Sequence, residues 1–186
     1  MSCENSNEKD SYEIYNAVLK EKVSTYGIMV NYFPYDRDYS EKEREEFIEK
    51  TKDSLIKSKS LTYFLSENLT IIDTLKPNHQ SYSGKNNDLV IKYIPKVSKN
   101  KLDFSRIKEL KIGKRINKEK LIDENQKHPT YLGSYYLSEP TIISKDKAVI
   151  RFQQYCGLNC GVEFLIYLKK ENEVWKIYNE KMIWIY

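Results

Sequence analysis

KAVIRFQQYCGLNCGVEFLIYLKKENEVWKIYNEKMIWIY, residues 147–186, is the stretch that decides the fold. Apolar and polar residues alternate through it. Ala148, Ile150 and Phe152 share one parity in Lys147–Tyr155, and Val162, Phe164, Ile166 and Leu168 share one in Val162–Lys169. A period of two marks a strand with one buried face. Val174–Tyr186 is a third run; its end, Met182-Ile183-Trp184-Ile185-Tyr186, is apolar on both faces and is therefore expected to be central or covered on both sides. Cys156-Gly157-Leu158-Asn159-Cys160-Gly161 and Glu171-Asn172-Glu173 are the turns between these runs. Ser134–Ile143 adds a fourth strand, joined through Ser144-Lys145-Asp146. Such short connections predict an antiparallel four-strand meander over about residues 131–186.

Upstream the pattern turns helical. Ile14, Ala17 and Val18 form one stripe, with Tyr15 and Leu19 on a neighbouring line, predicting a helix over Ser11–Val23 started by Asp10 and Glu13 at capping-box spacing. Ser40 and Glu43 make a second capping box for a helix over Ser40–Lys57, whose Phe47, Ile48, Thr51, Leu55 and Ile56 line one face. Tyr26–Phe33 and Asp88–Ile94 read as strands ended by Pro34 and Pro95, and Pro77–Asn87 as a loop. Leu61–Leu75 is apolar without a clean period, so a short helix or a strand at Thr70–Thr74 both fit it. Phe104, Ile107 and Leu110 recur at helical spacing ahead of Gly113, predicting a short basic helix. The fold class is therefore α+β: N-terminal helices packed on a curved, mainly antiparallel sheet that ends in the meander. Residues 1–10 are expected to be a disordered tether and 11–186 a single domain. The Ser40–Lys57 helix is expected to cover the sheet, with Phe47, Ile48, Phe152, Phe164, Ile166, Trp175 and Trp184 in the core.

Composition bounds the function. With 186 residues, 40% apolar and 31% charged, the chain is long enough for a full hydrophobic core without staples. No apolar run approaches the roughly 18 residues of a membrane helix. The net charge is +4, yet residues 96–120 alone hold ten bases and three acids. Only five of the 31 bases are Arg, so the Lys excess matches the codon bias of an AT-rich bacterial genome. Phosphate sites favour the planar fork of Arg, which makes nucleic acid an unlikely partner for Lys96–Lys120.

Two groups of residues carry resemblances. Ser2, Cys3 and the acidic segment after them resemble the start of a mature bacterial lipoprotein, in which such a Cys bears the lipid. The resemblance implies Cys3 as the lipidation residue, a removed signal peptide and a cell-envelope location, periplasmic or outer-membrane; the alternative is a cytoplasmic chain. Residues 131–186, with CG-x-x-CG followed by Trp175-Lys176-Ile177, resemble a family of bacterial secreted, lipoprotein-like proteins that implies no activity. Trp175-Lys176-Ile177 is also similar to a late strand of the NTF2-like cone, which would imply a small-ligand binder or enzyme.

Chemistry-bearing motifs are few. His79 lies in a Pro/Asn/Ser loop and His128 precedes Pro129, neither with metal-ligand spacing. Asp36 and Asp38 read as turn residues. No catalytic residue, metal or cofactor is expected, and the chain reads as a non-enzyme. Cys156 and Cys160 flank a hairpin tip and are a disulfide candidate, consistent with an oxidising compartment. Tyr135, Tyr155, Tyr167 and Tyr178 fall on the C-terminal strands and are candidates for a ligand-binding aromatic face. The expected function is a non-catalytic cell-envelope binding protein, lipid-anchored, for a protein or small ligand. The alternatives are an NTF2-like ligand binder or enzyme, and a binder of anionic surfaces or nucleic acid through Lys96–Lys120. The sequence leaves the oligomeric state open.

Overall fold

A computed structural model describes residues 6–23, 40–58, 61–72, 81–83, 89–91, 96–117, 130–157 and 160–185. Helix α1 spans Ser6–Lys22 and α2 spans Glu41–Lys57. Eleven strands follow: β1 (Thr62–Leu65), β2 (Asn68–Ile71), β3 (Ser81–Ser83), β4 (Leu89–Ile91), β5 (Lys96–Lys101), β6 (Lys114–Ile116), β7 (Tyr131–Leu137), β8 (Thr141–Ser144), β9 (Lys147–Gly157), β10 (Cys160–Glu171) and β11 (Val174–Ile185). This is the α+β class that the alternation predicts.

The main sheet runs in the order β11-β10-β9-β7-β1-β6, with β8 also on β9. The meander is antiparallel throughout, while β1 pairs in parallel with both β6 and β7. The expected strand Ser134–Ile143 divides into β7 and β8, both on the same edge of β9. Ser138 causes the break: its N–H donates to Arg151 O at 3.0 Å, and its hydroxyl accepts from Arg151 N at 2.9 Å. Pro140, which has no N–H to donate, follows. Gly133 sits at φ 128° where the β1–β7 register slips, a backbone state that L side chains rarely adopt. The β10–β11 loop is the two-residue Asn172-Glu173, both at positive φ (50° and 61°), the geometry that matches strand twist in a tight hairpin.

Even-numbered residues of β9 and β10 face the core. Ile150, Phe152, Ile166 and Leu168 are at most 1% exposed. The element that covers them is α1, not α2. Ile14, Tyr15, Val18 and Leu19 are all at most 3% exposed, and α1 lies against β11. The helix begins at Ser6, ahead of the expected Ser11. Asp10 is therefore no cap: its Oδ1 accepts from Lys170 Nζ at 2.8 Å and from Trp175 Nε1 at 3.0 Å. That contact joins the N-terminal helix to the C-terminal hairpin. At the other end of α1, Lys22 pairs with Glu180 and lies over the Phe164 ring.

The Ser40 capping box of α2 forms as expected. The helix is otherwise placed differently: Phe47 is 36% exposed, and Leu55 and Ile56 make its contact with the core. Its apolar stripe is interrupted by charges, so most of it stays in solvent. The expected core residues Phe152, Ile166 and Trp175 are buried, and Phe164 and Ile48 are partly so. The Trp184 side chain lies outside the described residues. The last strand, expected to be central or covered on both sides, is at the edge of the described sheet.

Among its described residues, 96–117, the basic block forms no α-helix. β5 pairs with β2, Phe104–Arg106 makes a single 3-10 turn capped by Asp103, and β6 pairs with β1. Side chains of α1 explain this, because they capture the backbone of the block. Tyr12 Oη accepts from Asp103 N at 2.9 Å, and Asn16 Oδ1 accepts from Lys108 N at 2.7 Å. A Cβ on Gly113 would stand 2.8 Å from Leu61 O, so this glycine serves a close strand approach and not a helix end. The expected strand Tyr26–Phe33 lies outside the described residues. The described part of Leu61–Leu75, residues 61–72, resolves into β1 and β2, and the stretch expected to be the loop Pro77–Asn87 contains β3, paired with β4.

Two predictions follow from this packing. Phe152→Ala is expected to cost about 3–5 kcal/mol in urea unfolding, and Phe47→Ala about 1 kcal/mol or less. Burial would raise the Asp10 carboxyl, but the bonds from Lys170 and Trp175 outweigh it and hold it below the usual carboxylate range. The Asp10 bond in turn raises Lys170, against the opposing effect of burial. A depressed acid contributes stability above its unfolded pKa of about 3.9 and loses it as pH falls through the folded value. The raised Lys contributes below about pH 10.4 and loses it as pH rises through its folded value. Asp10→Asn is therefore expected to be less stable than the parent by about 1 kcal/mol at neutral pH, with the gap closing below about pH 4 in thermal melts.

Candidate functional site

Odd-numbered residues of β9 and β10 point away from α1, and their cross-strand partners on β7 and β11 share that outer face. Here the sheet carries chemistry instead of a plain apolar surface. Glu163 lies directly opposite Gln153, and Arg151 is diagonal to it. Arg151 Nε donates to Glu163 Oε1, and Gln153 Nε2 donates to Glu163 Oε2 at 2.8 Å. Arg151 and Glu163 are 3% and 7% exposed, so this is an ion pair largely removed from water. Such pairs hold geometry more than they stabilise, because desolvation cancels much of the attraction.

An aromatic row crosses the same face beside it. Phe64 on β1 meets Tyr136 on β7 edge-on at 6.1 Å, and Tyr136 meets Tyr155 on β9 at 5.6 Å. Nearby, Tyr131 Oη and Ser134 Oγ share a hydrogen bond of 2.7 Å. Farther along, Tyr167 on β10 and Tyr178 on β11 stand 6.4 Å apart. Tyr178 is 54% exposed, and Val174, Met182 and Ile183 on the same strand are 56%, 49% and 41% exposed.

Three of the four candidate tyrosines thus share one face: Tyr155, Tyr167 and Tyr178. Tyr135 does not. It pairs with Gln154 on the core side and is fully buried between Tyr63 and Phe152, with burial pushing its hydroxyl pKa up. Its neighbour Tyr136 holds the outward position. Arg151, Gln153, Glu163 and Phe64 were not singled out from the sequence. The available signal was Arg151, one of only five arginines and set inside an alternating apolar strand.

The Cys candidates divide by region. Cys3 lies outside the described residues. The backbone register sets Cys160 opposite Gly157 and Gly161 opposite Tyr155, so Cys156 is the extra residue of a bulge. The two candidate Cys are therefore not directly opposed, and no disulfide occurs among the described residues; their side chains lie outside those described. His79, His128, Asp36 and Asp38 also lie outside them. Among the described residues no group of three or more His, Cys, Asp or Glu is placed to hold a metal ion. No described helix is long and apolar enough to cross a membrane.

Several bases of Lys96–Lys120 are engaged inside the fold. Lys101 pairs with Glu67 at 2.7 Å, Arg106 pairs with Glu8 and lies over Tyr12, and Arg115 lies over Phe104 at 3.5 Å. These contacts dock the block onto α1, β2 and its own 3-10 turn.

The buried pair gives a test of the outer face. Arg151→Met alone is expected to cost about 3–5 kcal/mol, because Glu163 is left charged without its partner. Arg151→Met combined with Glu163→Leu is expected to recover most of that loss in urea unfolding. No family model matches the chain, and no curated protein or solved structure matches it.

Proposed function

We propose that the protein is a non-catalytic binding protein of the cell envelope, anchored through lipid on Cys3, that engages a partner with the outer face of its sheet. The carrying observation is β11, at the edge of the described sheet, where Val174, Tyr178 and Ile183 stand 41–56% exposed. A strand that serves folding alone would bear polar residues at such positions. The tyrosine supplies a broad amphipathic contact at low entropic cost. The Arg151–Glu163–Gln153 group on the same face stiffens the sheet beside those residues, so recognition starts from a preorganised face.

Photo-crosslinking in the native bacterium tests this reading. A photoreactive residue at Tyr178 is expected to give a discrete adduct in the membrane fraction, and one at Glu45 on α2 is expected to give none. Cys3→Ala is expected to release the protein from that fraction. Recovery of the unaltered protein in the cytosol, or equal adducts from both positions, overturns the proposal.

A further inference from the structure

One row of the outer face has an unusual charge pattern. Lys169 of β10 lies directly opposite Lys147 of β9 and, on its other side, directly opposite Lys176 of β11. All three are exposed. Facing residues in adjacent strands have Cβ atoms about 4.5–5.5 Å apart, and like charges so placed repel. The acids nearby are Asp146 and Glu171. Asp146 lies close enough to Lys147 and Lys169 for their charges to help lower its pKa, after the larger effect of the Ser144 hydroxyl, which donates to it at 2.7 Å. Glu171 pairs with Lys176 at 3.3 Å. Glu173 reaches Lys170 at 3.6 Å, and Lys145 adds a further base in the β8–β9 turn. Nothing in the core packing calls for three lysines in one row, since Ala148, Leu168 and Ile177 beside them fill the core side.

We infer that the row Lys147–Lys169–Lys176 is a docking surface for an anionic phospholipid bilayer. The residues around the row favour a bilayer over a polynucleotide. Val174 lies just beyond the row, and the Tyr167–Tyr178 pair lies one step inside it. Aliphatic and tyrosine side chains flanked by lysines suit the boundary between headgroups and acyl chains, where rings sit at headgroup level and ammonium groups reach the phosphates. A polynucleotide would gain nothing from the exposed Val174.

The helix geometry supplies a second argument, which rests on the envelope reading above. The first turns of α1 are fixed at this end of the sheet, because Asp10 binds Lys170 and Trp175, the neighbours of Lys169 and Lys176. A lipid on Cys3 would therefore bring the lysine row, and not the opposite end of the sheet, to the bilayer. Anchor and basic row would then meet the same bilayer.

The test is flotation of the purified full chain, carrying no lipid, with phosphatidylcholine vesicles that contain or lack phosphatidylglycerol. The parent protein is expected to float only with the anionic vesicles, and less so as salt rises. Replacing Lys147, Lys169 and Lys176 together by Gln is expected to weaken binding on the order of a hundred-fold. The same variant is expected to melt no lower than the parent, because it relieves cross-strand repulsion, and this separates lost binding from lost folding. Equal flotation of variant and parent, indifference of the parent to phosphatidylglycerol, or tighter binding to a single-stranded oligonucleotide than to the vesicles overturns the inference. Since no lipid on Cys3 is involved, failed flotation leaves the envelope reading standing, and a cytosolic location in cells leaves a positive flotation standing.

Discussion

Strict alternation along β9 and β10 is the constraint on which the rest of the structure depends. Every even residue from Ala148 to Phe152, and from Phe164 to Leu168, belongs to the core side. Every odd residue between them builds the outer face. A register slip of one residue would place Arg151 and Glu163 against α1 and turn Phe152 and Ile166 outward, exchanging both surfaces at once. Strand β11 keeps pace only by taking two bulges, at Tyr178 and Ile183, where its register against β10 shifts. The bulges let Trp175 and Ile177 face the core at one end of the strand while Met182 still faces the Phe164 side farther along.

The helix that completes this core is the one with the unbroken stripe. Ile14, Tyr15, Val18 and Leu19 are adjacent on one face of α1, and burying each contributes roughly 1.5–3 kcal/mol. In α2 the apolar positions are spread among six acids and five bases over residues 41–57, and the main contact comes late, at Leu55 and Ile56. Capping quality therefore predicted where α2 forms without predicting where it packs. The decisive contact for α1 is long-range: Asp10 meets Trp175 and Lys170 far away in sequence.

The same distinction explains what the sequence revealed. The meander, its turns and its buried parity were legible because period two is a local property. The strand break at Ser138 was less so, since it depends on bonds to Arg151. The basic block misled because Phe104, Ile107 and Leu110 do have helical spacing. What overrides that spacing is Tyr12 and Asn16 of a distant helix, which hold the block's backbone out of a helix. In the candidate site, Tyr155, Tyr167 and Tyr178 were identified as strand aromatics. Separating Tyr135 from Tyr136 required the pairing with Gln154. The Arg151–Glu163 contact is diagonal across two strands, a relation invisible until the register is fixed.

The two faces of the sheet also differ in what they contribute. The core side explains the fold through apolar burial and the contacts to α1. The outer side carries features that lower stability or leave it unchanged: a desolvated ion pair, three lysines in one cross-strand row and exposed Val174, Tyr178 and Ile183 on the edge strand. Valine or threonine in place of those lysines would suit a strand better. The form of β11 limits how this surface is used. Lys176, Lys181 and two bulges are the devices by which an edge strand avoids pairing with another chain. Backbone addition to β11 is therefore disfavoured, and contact through the outer face falls to the side chains that alternation already points away from the core.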